Sequence, residues 1–154
     1  MAKAILTVMV SGLIILISCK PSNKYGCEQL SIDREMNKKI VSEFYQQLFG
    51  DKNIEAIKKY VAEGYVQHNP FVADGRQALI EACSKWFKNE PKEKINIQHI
   101  AADGDLVFLH TKSKLGKKTI SIVDIFRIKD GKILEHWDVA QEVPDKAANK
   151  HPMF

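Results

Sequence analysis

Asp124 stands in an apolar run from Ile120 to Ile128, and the triplet His136-Trp137-Asp138 stands in the next such run, across Asp130-Gly131. Buried titratable groups on an apolar strand face are costly, so they mark a candidate site. His136 and Asp138 are two apart, and on a strand both side chains point to one face. Asp124 has Ile120, Ile122, Phe126 and Ile128 for company on its own face, which predicts a raised pKa and a proton held or accepted near neutrality. The chemistry such groups suit is proton transfer beside a carbonyl. A carboxylate takes a proton from carbon and returns it to oxygen, while a neighbouring His sets its protonation.

How the two runs meet depends on their turn. A two-residue turn at Asp130-Gly131 pairs residues 129 and 132 and sets Asp124 opposite Trp137. A turn with Gly131 left-handed in a bulge pairs 128 with 132 and sets Asp124 opposite His136, with Ile122 opposite Asp138. The bulge is favoured here, because it brings both unusual faces together.

Further candidates are His68, His110 and Trp86 as substrate-binding residues. His68 precedes Asn69-Pro70 at an expected cavity edge, where it either bonds a substrate or stabilises the turn. His110 shares strand parity with Leu106 and Phe108 and reads as a core histidine or a site group, with His99 weaker. Trp86 falls at helical core spacing, so packing competes with ligand stacking. Trp137 and Arg127 are expected on the outer face. A metal site from His68, His110, Asp124 and His136 has no local spacing behind it, and no Cys-x-x-Cys or His-Glu-x-x-His is present. Neither metal nor cofactor is expected.

The elements that must position these groups follow from periodicity. Met36, Ile40, Val41, Phe44, Tyr45 and Leu48 give helical spacing over 32–49, ended by Gly50. Shorter helices are expected over 54–61 and from Arg76 to about Lys88, with Gly64 to Pro70 extended between them. From Ile95 onward the period is two, with turns at Asp103-Gly104-Asp105, Gly116-Lys117-Lys118 and Lys129-Asp130-Gly131. Helices followed by an antiparallel meander argue an α+β fold.

The N-terminal residues read as an address. Lys3 precedes an apolar run, Ile5 to Ile17, too short to span a bilayer and of signal-peptide length. Leu16-Ile17-Ser18-Cys19 resembles the bacterial lipobox, which implies a signal peptide over 1–18, lipidation of Cys19, and a cell-envelope lipoprotein anchored in the membrane. Residues 19–31 are then lipidated Cys and tether, and 32–154 one domain. Cys83 shares a helical face with Leu79, so a buried thiol is favoured over a disulfide with Cys27. The net charge of +4 falls to +3 without Lys3, and the lysines are scattered. No basic stripe with interleaved aromatics appears, so nucleic acid is not an expected partner.

Several stretches together resemble the SnoaL-like branch of the NTF2-like superfamily. They are Tyr65-Val-Gln-His68-Asn69-Pro70, His99 to Val107, Asp124-Ile-Phe-Arg127 through Ile133, Glu135-His136-Trp137-Asp138, and the tail Asn149 to Phe154. The resemblance implies a cone, with a curved antiparallel sheet wrapped round three N-terminal helices and a cavity at one end. It also implies homodimers packed through the outer sheet face. In polyketide cyclases of this family an Asp closes an aldol ring without metal. Their His-x-Asp matches His136-Trp137-Asp138, so Asp138 inherits the role of base and His136 that of partner. Two readings stay open: a cyclase or isomerase acting on a small apolar carbonyl compound, and a non-catalytic, lipid-anchored binder of a small apolar molecule.

Overall fold

A computed structural model describes residues 24–154 of the chain. Cys19 and the signal segment lie outside the described residues, as does the side chain of Cys27. Helix α1 runs Lys24–Tyr45 and ends in a π-helical turn, Gln46–Gly50. It is followed by α2 (Glu55–Tyr60), strand β1 (Val61–Gln67), α3 (Arg76–Trp86), and strands β2 (Asn96–Asp103), β3 (Leu106–Leu115), β4 (Lys118–Lys129) and β5 (Lys132–Glu142).

The five strands form one sheet in the order β1-β5-β4-β3-β2. The last four make the expected antiparallel meander, and β1 joins it as a parallel edge beside β5. The fold is the α+β arrangement expected, a curved sheet packed on three helices. Its core gathers one face of each element: Val41, Phe44 and Leu48 from α1 and its π turn, Ile57 from α2, and Val107, Leu109, Phe126 and Ile133 from the sheet. Fully burying each of these stabilises the fold by roughly 1.5–3 kcal/mol. Gly50 is required where it stands. A Cβ there would lie 2.7 Å from the carbonyl oxygen of Glu93, whose own N–H bonds the Gly50 carbonyl at 2.9 Å.

Two expectations change. Helix α1 begins at Lys24, inside the segment expected as an irregular tether. From residue 28 to residue 36 it is solvent-exposed, so burial leaves no apolar period there to announce it. A Gln29 to Asp33 side-chain bond one turn apart supports it locally.

The β4–β5 register also differs from the one favoured. Lys129 pairs with Lys132 across a two-residue turn, with Asp130 and Gly131 both left-handed at φ 50° and 72°. That is the turn whose twist matches a hairpin. A bulge does exist, but at Leu134: Ile128 pairs with Ile133, and Arg127 already pairs with Glu135. The extra residue returns the inward faces to phase and sets Asp124 directly opposite Asp138.

Candidate functional site

The concave face of the sheet and the helices enclose a cavity of about 130 Å³. Phe44, Leu48, Phe49, Leu79 and Ile122 make its apolar wall, and Trp86 stands at its edge, about half exposed. Into this wall β4 sends Asp124, while β5 sends His136 and Asp138. Strand alternation does this, because Ile122, Asp124 and Phe126 share the parity that packs on the helices.

Asp124 is 5% exposed. Its Oδ1 lies 3.0 Å from His136 Nε2, and its Oδ2 accepts a 3.0 Å hydrogen bond from the Tyr45 hydroxyl. Burial pushes its carboxyl above the ordinary aspartate range, and His136 and Tyr45 only partly offset this. Burial likewise pushes the Tyr45 phenol well up, so it stays a neutral donor.

The other His136 nitrogen fixes the tautomer. Nδ1 lies 2.8 Å from Gln67 Oε1, which also accepts from the Asn69 backbone N–H at 3.0 Å. The Gln67 amide nitrogen is used elsewhere, donating to the Tyr65 hydroxyl. Gln67 therefore offers His136 an acceptor, and Nδ1 must carry a hydrogen. Nε2 and Asp124 then hold one proton between them, as imidazolium and carboxylate or as imidazole and carboxylic acid.

Asp138 sees a different environment. Asn69 Nδ2 lies 2.9 Å from both of its oxygens. The Asn69 carbonyl oxygen accepts from the Phe71 N–H, which fixes the amide with its nitrogen towards Asp138. Asp138 is thus held by a neutral amide, where Asp124 is held by a histidine and a phenol. Asp138 also lines the cavity.

The family model that describes the SnoaL-like domain matches residues 41–136, more than half of the chain. The chain belongs to the SnoaL-like family. No curated protein is similar enough in sequence to count as a match. Among solved structures, a protein proposed to be a polyketide cyclase from Acidithiobacillus ferrooxidans is 21% identical, with 68% of this chain and 87% of that one covered and a TM-score of 0.57. One proposed to be a ketosteroid isomerase from Kribbella flavida is 16% identical, covering 76% and 86%, at a TM-score of 0.61. An LEH-like epoxide hydrolase from M. tuberculosis is 15% identical, covering 71% and 85%, at 0.57. At such identities the likeness is one of fold.

Of the residues predicted for the site, this SnoaL-like domain brings Asp124, His136 and Asp138 together, with Trp86 at the cavity edge. His68 and His110 are not cavity residues, which corrects their expected placement. His68 lies between the inward Gln67 and Asn69, so alternation turns it outward. There it stacks on Trp137 at 4.5 Å between ring centroids and meets Glu135 at 2.8 Å. His110 is on the outer face of β3, beside His99 and Ser121, because Val107, Leu109 and Thr111 are the inward set. Leu106 and Phe108 share its parity because the outer face is also apolar. The supposed four-residue metal set is thereby split between two faces. Among the described residues no group of three or more His, Cys, Asp or Glu side chains is placed to hold a metal ion. Tyr45, Gln67 and Asn69 join the site without standing among the candidates read from the sequence. The one local signal for the last two was period-two alternation through Tyr65, Gln67 and Asn69. Cys83 is buried as expected, and burial pushes its thiol up to about 12.

Proposed function

We propose that this SnoaL-like domain is an acid/base catalyst of the aldol-cyclisation or isomerisation type, acting on a small apolar carbonyl compound. The carrying observation is the pairing of Asp124 with Asp138 on one cavity wall in unlike surroundings. Two carboxyl groups whose environments separate them take different roles in proton transfer. Asp138, held by the neutral Asn69 amide and lining the cavity, is the base that removes a proton from the carbon beside the carbonyl. The Tyr45–Asp124–His136 chain, which holds a proton in an apolar wall, stabilises the developing oxygen charge and supplies the proton there. As the carbonyl re-forms, its oxygen hands the proton back to the Tyr45–Asp124–His136 chain, and Asp138 gives its proton to a different carbon in isomerisation, or to the alkoxide formed when the enol carbon bonds a second carbonyl, so both groups end as they began. The cavity volume favours a reacting unit near the size of a single ring, since an apolar cavity of roughly 150 Å³ holds benzene.

Two of the structural neighbours, proposed to be a polyketide cyclase and a ketosteroid isomerase, bear names in keeping with this reading, while the epoxide hydrolase names a different reaction on the same fold. A homodimer packed through the outer sheet face fits the exposed Val139 of β5. Anchoring through lipidated Cys19 would hold the domain at the cell envelope.

The test is proton exchange in heavy water against a panel of small cyclic ketones, 1,3-diketones and unsaturated ketones, followed by proton resonance. Enzyme-dependent loss of the signal beside the carbonyl, abolished by Asp138→Asn, is expected for at least one class. Exchange that survives Asp138→Asn, or none above buffer across the panel, would favour the non-catalytic binding module.

A further inference from the structure

Residues 67–69 grip β5 from both of its faces. Gln67 reaches inward to His136, and Asn69 reaches inward to Asp138. His68, between them, points outward, lying flat on Trp137 with 6° between the ring planes and meeting Glu135 at 2.8 Å. Glu135 accepts from Arg127 Nε at 2.8 Å, and Arg127 in turn bonds both oxygens of Asp105. The Arg127 guanidinium also lies 5.6 Å from the Trp137 ring centre. This outer-face chain crosses from the β2–β3 turn through β4 and β5 to the end of β1.

The backbone alone holds that end weakly. The β1–β5 ladder breaks between Val61 and Val66, and regular pairing resumes only at Val66 with Glu135 and Gln67 with His136. One more backbone bond follows, from His68 N–H to the His136 carbonyl at 2.9 Å. The segment that fixes both site residues is thus an edge with few ladder bonds.

We infer that His68 is a positioning residue for the site, which clamps the end of β1 on Trp137 from the outer face so that Gln67 and Asn69 keep their holds on His136 and Asp138. It does not line the site cavity and takes no part in the chemistry. Its stack on Trp137 matters more than its exposed pair with Glu135, because ion pairs in solvent are screened and contribute little. The inference rests on the proposed roles of His136 and Asp138, but its test needs no substrate.

The experiment is nitrogen-15 resonance of the histidine rings in the wild-type protein, His68→Ala and His68→Phe, with thermal melts alongside. In the wild type His136 should show hydrogen on Nδ1. His68→Ala should lose that signature, giving a mixture of both ring forms in a protein that still melts cooperatively. His68→Phe, which keeps a flat ring on Trp137, should retain it. His68→Leu fills the space without a flat ring and replaces His68→Ala if that variant does not fold, with the same loss expected. Retention of the Nδ1 hydrogen in His68→Ala or His68→Leu would overturn the clamp. So would equal loss in His68→Phe. Either result would leave the carbonyl chemistry to be judged by the exchange experiment on its own.

Discussion

Asp124 and Asp138 face each other directly across the β4–β5 ladder, one bonded to Tyr45 and His136, the other to Asn69. Two carboxyl groups this placed repel, and the charge of Asp138 helps to raise Asp124. A one-residue slip of either strand would send one of them to the outer face. The bulge at Leu134 and the left-handed Asp130-Gly131 turn together fix the register against that slip.

Asp124→Asn should stabilise the protein at neutral pH. The folded-state pKa of Asp124 is raised, chiefly by burial. Its contribution to stability is therefore fully present below the unfolded value, near 3.9, and is lost as pH rises through the folded value. An asparagine would accept from Tyr45 and donate to His136 Nε2, imitating the protonated acid with no charge to bury. The advantage over wild type should be small at pH 4 and grow to about 1–3 kcal/mol above the folded pKa. Urea melts across that range measure it, and an advantage that shrinks as pH rises would contradict the sign.

Tyr45→Phe should destabilise by about 1–3 kcal/mol, because one oxygen of a buried carboxyl loses its donor. Tyr45 bonding lowers the Asp124 pKa, so the variant should raise it further. Thermal melts with carboxyl titration read both effects. An unchanged melt would mean that the Tyr45 bond carries no weight.

Lipidation should occur at Cys19, from the Leu16-Ile17-Ser18-Cys19 sequence. Labelled palmitate fed to a bacterial host should enter the wild-type protein and be missing from Cys19→Ala, which should also keep its signal segment. A wild-type protein without label would refute the anchor.

Much of this was legible in the chain, for a physical reason. Helical spacing in α1 and alternation in β3 to β5 record burial residue by residue, and burial is what the fold is made of. His136 and Asp138 share a face by strand geometry alone. Other features are not local. Tyr45 meets Asp124 across 79 residues and Gln67 meets His136 across 69, and no spacing rule links such pairs. The bulge at Leu134 leaves no mark in composition. His110 lies on the outer face beside Leu106 and Phe108 because that face is also apolar, so an apolar neighbour does not tell inside from outside, whereas His68 turns outward because Gln67 and Asn69 on either side of it point into the cavity. The start of α1 resembles a tether in composition because a helix in solvent needs no apolar stripe.

The division between the two carboxyl groups is tested most directly by carbon-13 titration of labelled aspartates, with Asp124 assigned through Asp124→Asn. Asp124 should titrate clearly above the ordinary value of about 3.9, and it should move further up in Tyr45→Phe. A titration midpoint for Asp124 at or below that ordinary value would contradict the account.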